Sequence, residues 1–537
     1  MGGFRARFAV LTVLAGALAG FVVRGQTPSS TTFNLVVGLG LPAVDAGALV
    51  GEHPAVNTSA QDRRGALSDA MAAETRGVRS GPAHASGRVI VKFRPGASPD
   101  VPSLRRASPT AALSVRGANA DFDVVRFDPG EDAESVAALL RARDDVEYAQ
   151  PAYFLHPLLV PNDTLYKELQ WNLPLIEMER AWDIQPRAGS AITVAVIDTG
   201  VAYTAATITT NILGFRDAAG ARYPAILNAR IPYAAAPQLG AADRFVAPHD
   251  FVNNTNTPLD FDGHGTHVSG TIGQLTNDGI GTAGVAFNVK LMPLKVLCSD
   301  WDILFGTPAA RCGTDEEVAE AIRYAADNGA RVVNMSIGRE SPSTCGTNRS
   351  QSGCAPAMED AMNYAVGKGV FFAIAAGNSF QDSNPTETPA EIAGRIQGAV
   401  SVAAVDLRKN HAPYSSTGSW VELSAPGGGG GSGDLGYVWQ QTFHPSYTDT
   451  WDLPVPKYVA PRFDVMAYVG YAGTSMAAPH VAGVAAMLMQ QGITDPAAIE
   501  SILEKFAVDL GAPGRDDTFG FGLIDARAAL RGMGLAK

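Results

Sequence analysis

The chain has 537 residues, 46% hydrophobic and 18% charged, an ordinary globular composition that excludes a disordered, collagenous or fibrous protein. Its formal net charge of −12, with no basic run anywhere, argues against a nucleic-acid partner, because phosphate binding needs clustered Lys and Arg. Residues 1–160 balance at +1 and the remainder at −13, so the acidity belongs to the C-terminal part.

Arg5 and Arg7 precede a nearly uninterrupted apolar stretch from Phe8 to Val23, with small residues at Gly20 and Gly25. This predicts a secretory signal peptide over 1–25, cleaved near Ala19 or Gly25; a retained membrane anchor is the alternative. No later segment has the length and purity of a transmembrane helix, so the mature protein is expected to be soluble and exported. Residues 26–85 are rich in Ser, Thr, Ala and Gly without a sustained period and read as a linker, apart from a mostly apolar run over 33–50.

Arg88–Phe93 alternates β-branched and charged residues up to the Pro95-Gly96 turn, Phe122–Phe127 is a second strand, Glu131–Arg143 has helical periodicity and Val146–Ala149 is a third strand. Together they predict a small α+β unit over 86–155. From Ile192 the pattern changes. Ile192–Ile197, Ala330–Met335, Val370–Ala376 and Ala399–Val405 are apolar runs without alternation, and helices are predicted over Thr266–Leu275, Asp315–Asn328 and Met358–Lys368. Such alternation implies an α/β fold, a mostly parallel sheet flanked by helices on both faces, with its ligand site outside the carboxyl ends of the strands.

Four motifs carry candidate chemistry, two of them at strand ends and two at helix starts. Asp198 follows the strand Val194–Ile197, where a half-buried carboxylate can orient an imidazole; metal, ribose or capping roles are the alternatives. His264 lies between glycines in DGHGTHVSG, and its use as acid/base is favoured over zinc binding with His267, because no Glu lies between the two and no third ligand follows. His267 is then a structural partner. Ser475, in GTSMAAPH, opens a helix marked by Pro479, so its hydroxyl sits beside unpaired N–H groups and the positive end of a helix dipole; an N-cap serine is the alternative. Asn378, in AAGN, places a neutral amide donor at a strand end, suited to a developing oxyanion, with a plain turn residue as the alternative.

The segments VAVIDTG, DGHGTHVSGTI, AAGN and GTSMAAPHVAG, in this order, resemble the signature of the subtilisin-like (subtilase) serine endopeptidases over roughly Leu165–Ala529. The resemblance implies a subtilisin-like fold over 161–537 in which Asp198 orients, His264 is general base then acid, Ser475 is the nucleophile, and the Asn378 side chain with the Ser475 amide forms the oxyanion hole. It also implies that Ser336, Ile337 and Gly338 pair with substrate backbone and wall the primary specificity pocket, which favours broad specificity. GRVIVKFRPG and DVEYAQPAY in the 86–155 unit are similar to subtilase propeptides, which assist folding and inhibit until cleaved; processing is expected between Pro151 and Asn162. The expected partners are protein or peptide substrates and the chain's own propeptide, acting on a monomer.

No cofactor is expected for the chemistry, but structural calcium is. Asp250, Asn253, Asn254, Asn256 and Asp260 offer oxygens before the histidine motif, and Asn277, Asp278 and Ile280 stand where the family has a calcium loop. The alternative is a polar surface turn. Cys298 with Cys312 and Cys345 with Cys354 form two close pairs, which in an exported chain favours two local disulfides over free thiols. Two insertions depart from the family pattern. One spans about 204–244. The other, 427–469, begins with a glycine run, carries Trp439, Phe443, Tyr447 and Trp451, and is expected to form a partly ordered flap that shapes substrate access.

Overall fold

The computed structural model describes residues 84–97, 101–114, 120–153, 159–216, 220–343, 345–346, 348, 350–431, 433–450 and 458–532. The expected signal peptide and nearly all of the expected linker lie outside the described residues. Among those described, 84–153 form one compact unit and 159–532 another.

The smaller unit is a four-stranded antiparallel sheet with one helix across it. β1 (His84–Phe93), β2 (Ala112–Leu113), β3 (Asp123–Arg126) and β4 (Val146–Tyr153) are ordered β2-β3-β1-β4. Alternation in β1 turns Val89 and Val91 inward, where they are fully buried with Val125 and with Val136, Ala137 and Leu140 of α1 (Ala133–Arg141). α1 starts where Asp132 Oδ2 accepts from Ser135 N at 3.0 Å. β4 runs past the predicted Ala149 because it is an edge strand, where the missing N–H of Pro151 is tolerated.

The larger unit is built on seven strands: β5 (Thr193–Asp198), β6 (His249–Asp250), β7 (Lys290–Lys295), β8 (Val332–Met335), β9 (Phe371–Ala375), β10 (Ala399–Val405) and β11 (Leu423–Pro426). Their order is β6-β7-β5-β8-β9-β10-β11, and every neighbouring pair is parallel. The sheet is covered on both faces, which is why its strands are apolar without alternation. Val194 and Val196 face a core shared with α2 (His264–Gly273) and α5 (Thr474–Gln490), whereas Ala195 and Ile197 face α3 (Asp315–Asp327) and α4 (Pro356–Gly367).

Three strands were not legible as such. β7 contains Pro293, yet Lys290 N donates to Ile192 O, so residues 290, 292 and 294 present their N–H groups to β5 and Pro293 faces the short edge strand β6. β6 has only two residues, and β11, Leu-Ser-Ala-Pro, is broken by Ser424 and Pro426, so neither carries an apolar run. Both insertions contain antiparallel pairs: Ala206–Ile212 with Ile226–Tyr233, and β12 (Val438–Phe443) with β13 (Met466–Tyr471). Cys298–Cys312 and Cys345–Cys354 are disulfides, and no free cysteine remains among the described residues.

Candidate active site

The carboxyl ends of β5, β8 and β9 open towards the start of α5, and each end delivers one of the sequence motifs. Asp198 is the last residue of β5 and is fully buried. Its Oδ1 accepts from His264 Nδ1 at 2.7 Å and from Thr199 N at 2.7 Å. His264 opens α2 and is 2% exposed. Burial opposes protonation of its imidazole, but the charge and hydrogen bond of Asp198, with Asp262 and Asp260 behind, outweigh that and hold it above the ordinary histidine range.

The start of α2 is tied down by Asp260. Its Oδ1 accepts from Asp262 N (2.9 Å), Gly263 N (2.8 Å) and Thr199 Oγ1 (3.0 Å), while Oδ2 accepts from Thr266 N (3.0 Å) and Thr266 Oγ1 (2.6 Å). One buried carboxylate thus fixes the His264 turn to the residue after Asp198. The sequence offered Asp260 as a calcium ligand; its role here is set by contacts that spacing does not reveal.

His267 lies on the same helix, and burial holds its imidazole down to about 3, so it stays neutral. Its Nε2 lies 3.2 Å from Val438 O and 3.0 Å from Val469 O, and Tyr471 stacks on the ring. Thr442 Oγ1 donates to Gly263 O at 2.6 Å. The two strands inside and beside the 427–469 insertion are therefore anchored on the helix that carries His264. Gly427 at its start is required by close approach: a Cβ there would stand 2.7 Å from Gly473 O, and Gly473 N donates to Gly427 O at 3.0 Å.

Ser475 is the second residue of α5. Pro479 has no N–H for the Ser475 carbonyl, which instead accepts from Ser336 Oγ at 2.8 Å, and Ser475 Oγ donates to Ser336 O at 3.3 Å. Asn378 Oδ1 accepts from Thr474 N (2.9 Å) and Thr474 Oγ1 (3.0 Å), which leaves Nδ2 as the end of the amide that can donate elsewhere. These residues share one cleft, whose walls are Ser336–Gly338 and Ala375 with Gly377–Ser379, and which Thr474, Ser475 and Glu387 also line.

Residues 189–522 match the profile of the subtilase family, and residues 70–152 match that of the fervidolysin N-terminal prodomain. The chain belongs to the subtilase family. It is 30% identical over 412 residues to a thermophilic serine proteinase of Bacillus sp. (strain AK1), covering 76% of this chain and 79% of that one. It is 29% identical over 350 residues to thermitase of Thermoactinomyces vulgaris, covering 65% and 92%. A solved protease of Pseudoalteromonas arctica PAMC 21717 superposes with a TM-score of 0.50 at 26% identity, over 70% of this chain and 99% of that one. This subtilase is accordingly a serine peptidase of subtilisin-like fold, preceded by a prodomain.

The oxygen ligands expected for calcium are distributed unevenly in this subtilase. Asp250 spends its carboxylate on its own turn, accepting from Asn253 N (2.9 Å) and Asn253 Nδ2 (3.0 Å). Asp278 Oδ1 accepts from Ile280 N at 2.9 Å and Oδ2 from Gln238 Nε2 at 3.2 Å, while Asn277 N donates to Asp163 Oδ2 at 2.7 Å. The Asp163 carboxyl is pushed up to about 7 by burial, with Asp278 adding to it. Asp163 Oδ1 and Gln238 Oε1 are buried without a hydrogen-bond partner. An all-oxygen group with two orphaned acceptors and two close carboxylates fits a hard cation. Asp163 and Gln238 were not singled out in the sequence, because they come from distant segments.

Proposed function

We propose that this subtilase is a secreted endopeptidase, made as an inactive precursor and hydrolysing peptide bonds through an acyl-enzyme. Ser475 Oγ attacks the scissile carbonyl carbon and its proton passes to His264 Nε2; Asp198, fixed to Nδ1, holds the imidazole in the tautomer that can receive it and stabilises the imidazolium. His264 returns the proton to the leaving amine, and water then releases the acyl group by the reverse proton path. Asn378 Nδ2 and the Ser475 amide stabilise the oxyanion at the positive end of α5. The 2.7 Å bond between fully buried Asp198 and His264 is the observation that supports this reading most directly.

The prodomain is proposed as an intramolecular inhibitor released by cleavage between Pro151 and Asn162, and the apolar Phe8–Val23 stretch as the export signal. A relative, the extracellular protease of Xanthomonas campestris pv. campestris, is 30% identical over 483 residues and carries export in its name. Among the described residues no helix is long and apolar enough to cross a membrane. Calcium is proposed at Asp163, Gln238 and Asp278, with carbonyls of the 277–280 loop; bound there, it would supply positive charge to two crowded carboxylates and no chemistry at the scissile bond. The mature enzyme is proposed to act as a monomer. Expression of Ser475→Ala tests the function: an unprocessed precursor without peptidase activity is expected, and normal processing and turnover would overturn the assignment.

A further inference from the structure

Glu387 is 7% exposed and lines the cleft that holds Ser475 and Asn378. Its carboxyl group lies against both walls at once. A Cβ on Gly377 would stand 2.3 Å from the carboxyl carbon, and a Cβ on Gly338 would stand 3.0 Å from Oε2. Each wall therefore carries glycine where the carboxyl group comes nearest, and a side chain at either place would displace it.

The neighbours of this carboxyl group are neutral or acidic. Ser416 Oγ donates to Oε1 at 3.2 Å, and the nearby Ser379 side chain and Asn378 backbone favour its charged form. Glu340 is its cross-strand partner and adds negative charge. Arg339, the adjacent cation, is held in a bidentate pair by Asp315 at 3.0 and 2.6 Å. Among the described residues no cation pairs with Glu387. Burial pushes its carboxyl group up, the mark of a charge taken out of water without a counter-ion.

We propose that the cleft takes a lysine or arginine side chain from the residue preceding the scissile bond, with Glu387 as the counter-ion that selects it. This rests on the endopeptidase reading above and specifies its substrate class. An ammonium or guanidinium group brings both the missing charge and N–H donors to the carboxylate. An apolar side chain would cover the carboxylate and leave it desolvated and unpaired, so the same group that attracts a cation discriminates against Phe or Leu. Backbone pairing along Ser336–Gly338 remains tolerant at the other positions.

The test is cleavage of a peptide library varied at the residue before the scissile bond, using the full chain after it has matured, with Glu387→Gln alongside. The wild type is expected to favour Lys and Arg over Phe and Leu in kcat/KM, and the variant to lose about 10- to 150-fold of that ratio, the range for a hydrogen bond to a charged group. Competitive inhibition of the wild type by benzamidine, a small amidinium, gives a second readout that does not depend on the variant folding. An active wild type that prefers apolar residues, or is indifferent to benzamidine, overturns this inference and leaves the endopeptidase reading standing. Absence of any hydrolysis, together with no labelling by a fluorophosphonate, overturns both.

Discussion

Gly265 follows His264 and is the point where the histidine helix meets the aspartate loop. A Cβ at this position would stand 2.1 Å from Gly200 O, 3.1 Å from Asp198 Oδ1 and 3.2 Å from Asp198 Cβ. Gly200 has little room to retreat, because a Cβ on it would stand only 2.7 Å from Pro258 O and 2.8 Å from Leu259 O, and Val201 N donates to Pro258 O at 3.0 Å. In Gly265→Ala the start of α2 must therefore move by about 1 Å to reach ordinary van der Waals contact. That displacement stretches the 2.7 Å bond between His264 and Asp198 beyond hydrogen-bond range. A misplacement of about 1 Å costs on the order of 10²-fold in rate, so kcat should fall by about that factor with KM little changed, alongside an overpacking cost of about 1–3 kcal/mol. The assay is steady-state hydrolysis of a chromogenic peptide, with thermal unfolding as the companion measurement. Gly367→Ala is the control, since nothing lies within 4 Å of a Cβ there. Wild-type kcat in Gly265→Ala, within about threefold, would refute the claim that this contact sets the imidazole.

Asn378→Ala should lower kcat and spare KM in the same assay; the scale, about 10²–10³, is that known for the side-chain donor of subtilisin rather than one worked out from these distances. The raised His264 predicts that kcat/KM climbs with pH along a limb centred above the ordinary histidine value, and Asp198→Asn, which removes a negative charge, should move that limb to lower pH as well as reduce its height. Lys295 and Asp302 form an ion pair at 3.1 Å with side chains 1% exposed each, and Lys295 Nζ also donates to Thr199 O at 2.6 Å; Asp302→Ala should cost about 3–5 kcal/mol in denaturant unfolding. Glu422 and Glu500 are raised to about 8 and about 7 by burial, so the folded chain holds protons that the unfolded chain has released by pH 5–6. Their stabilising contribution is fully present below the ordinary glutamate value of 4.5, falls steadily as pH rises above it and is gone by about 8, and Glu422→Gln should flatten the fall in melting temperature over that window.

The four chemical motifs were legible because each sets a special residue beside glycine or proline within a few positions; singly each has commoner uses, and it is their joint occurrence in this order that is specific. The covered parallel sheet was legible for the same local reason, since a strand buried on both faces is apolar throughout. Long-range assignments were not. Asp260 looked like a metal ligand among other oxygens, yet it serves five protein donors. Asp163 and Gln238 gave no signal near the loop they join. Glu387 sits in an unremarked Thr386-Glu387-Thr388-Pro389 run, and only the approach of Gly338 and Gly377 from two other segments gives it meaning. The 427–469 insertion is expected from its aromatic content to form a partly ordered flap, whereas its strand β12 is buried throughout and holds the histidine helix through Thr442 and the contacts of His267.

The central claim is that Ser475 is the residue activated by the Asp198–His264 pair. Reaction of the matured enzyme with a fluorophosphonate, followed by peptide mapping, tests it directly. A single adduct on Ser475, absent after His264→Ala, is the predicted result. Modification of another residue, or labelling that persists without His264, would contradict it.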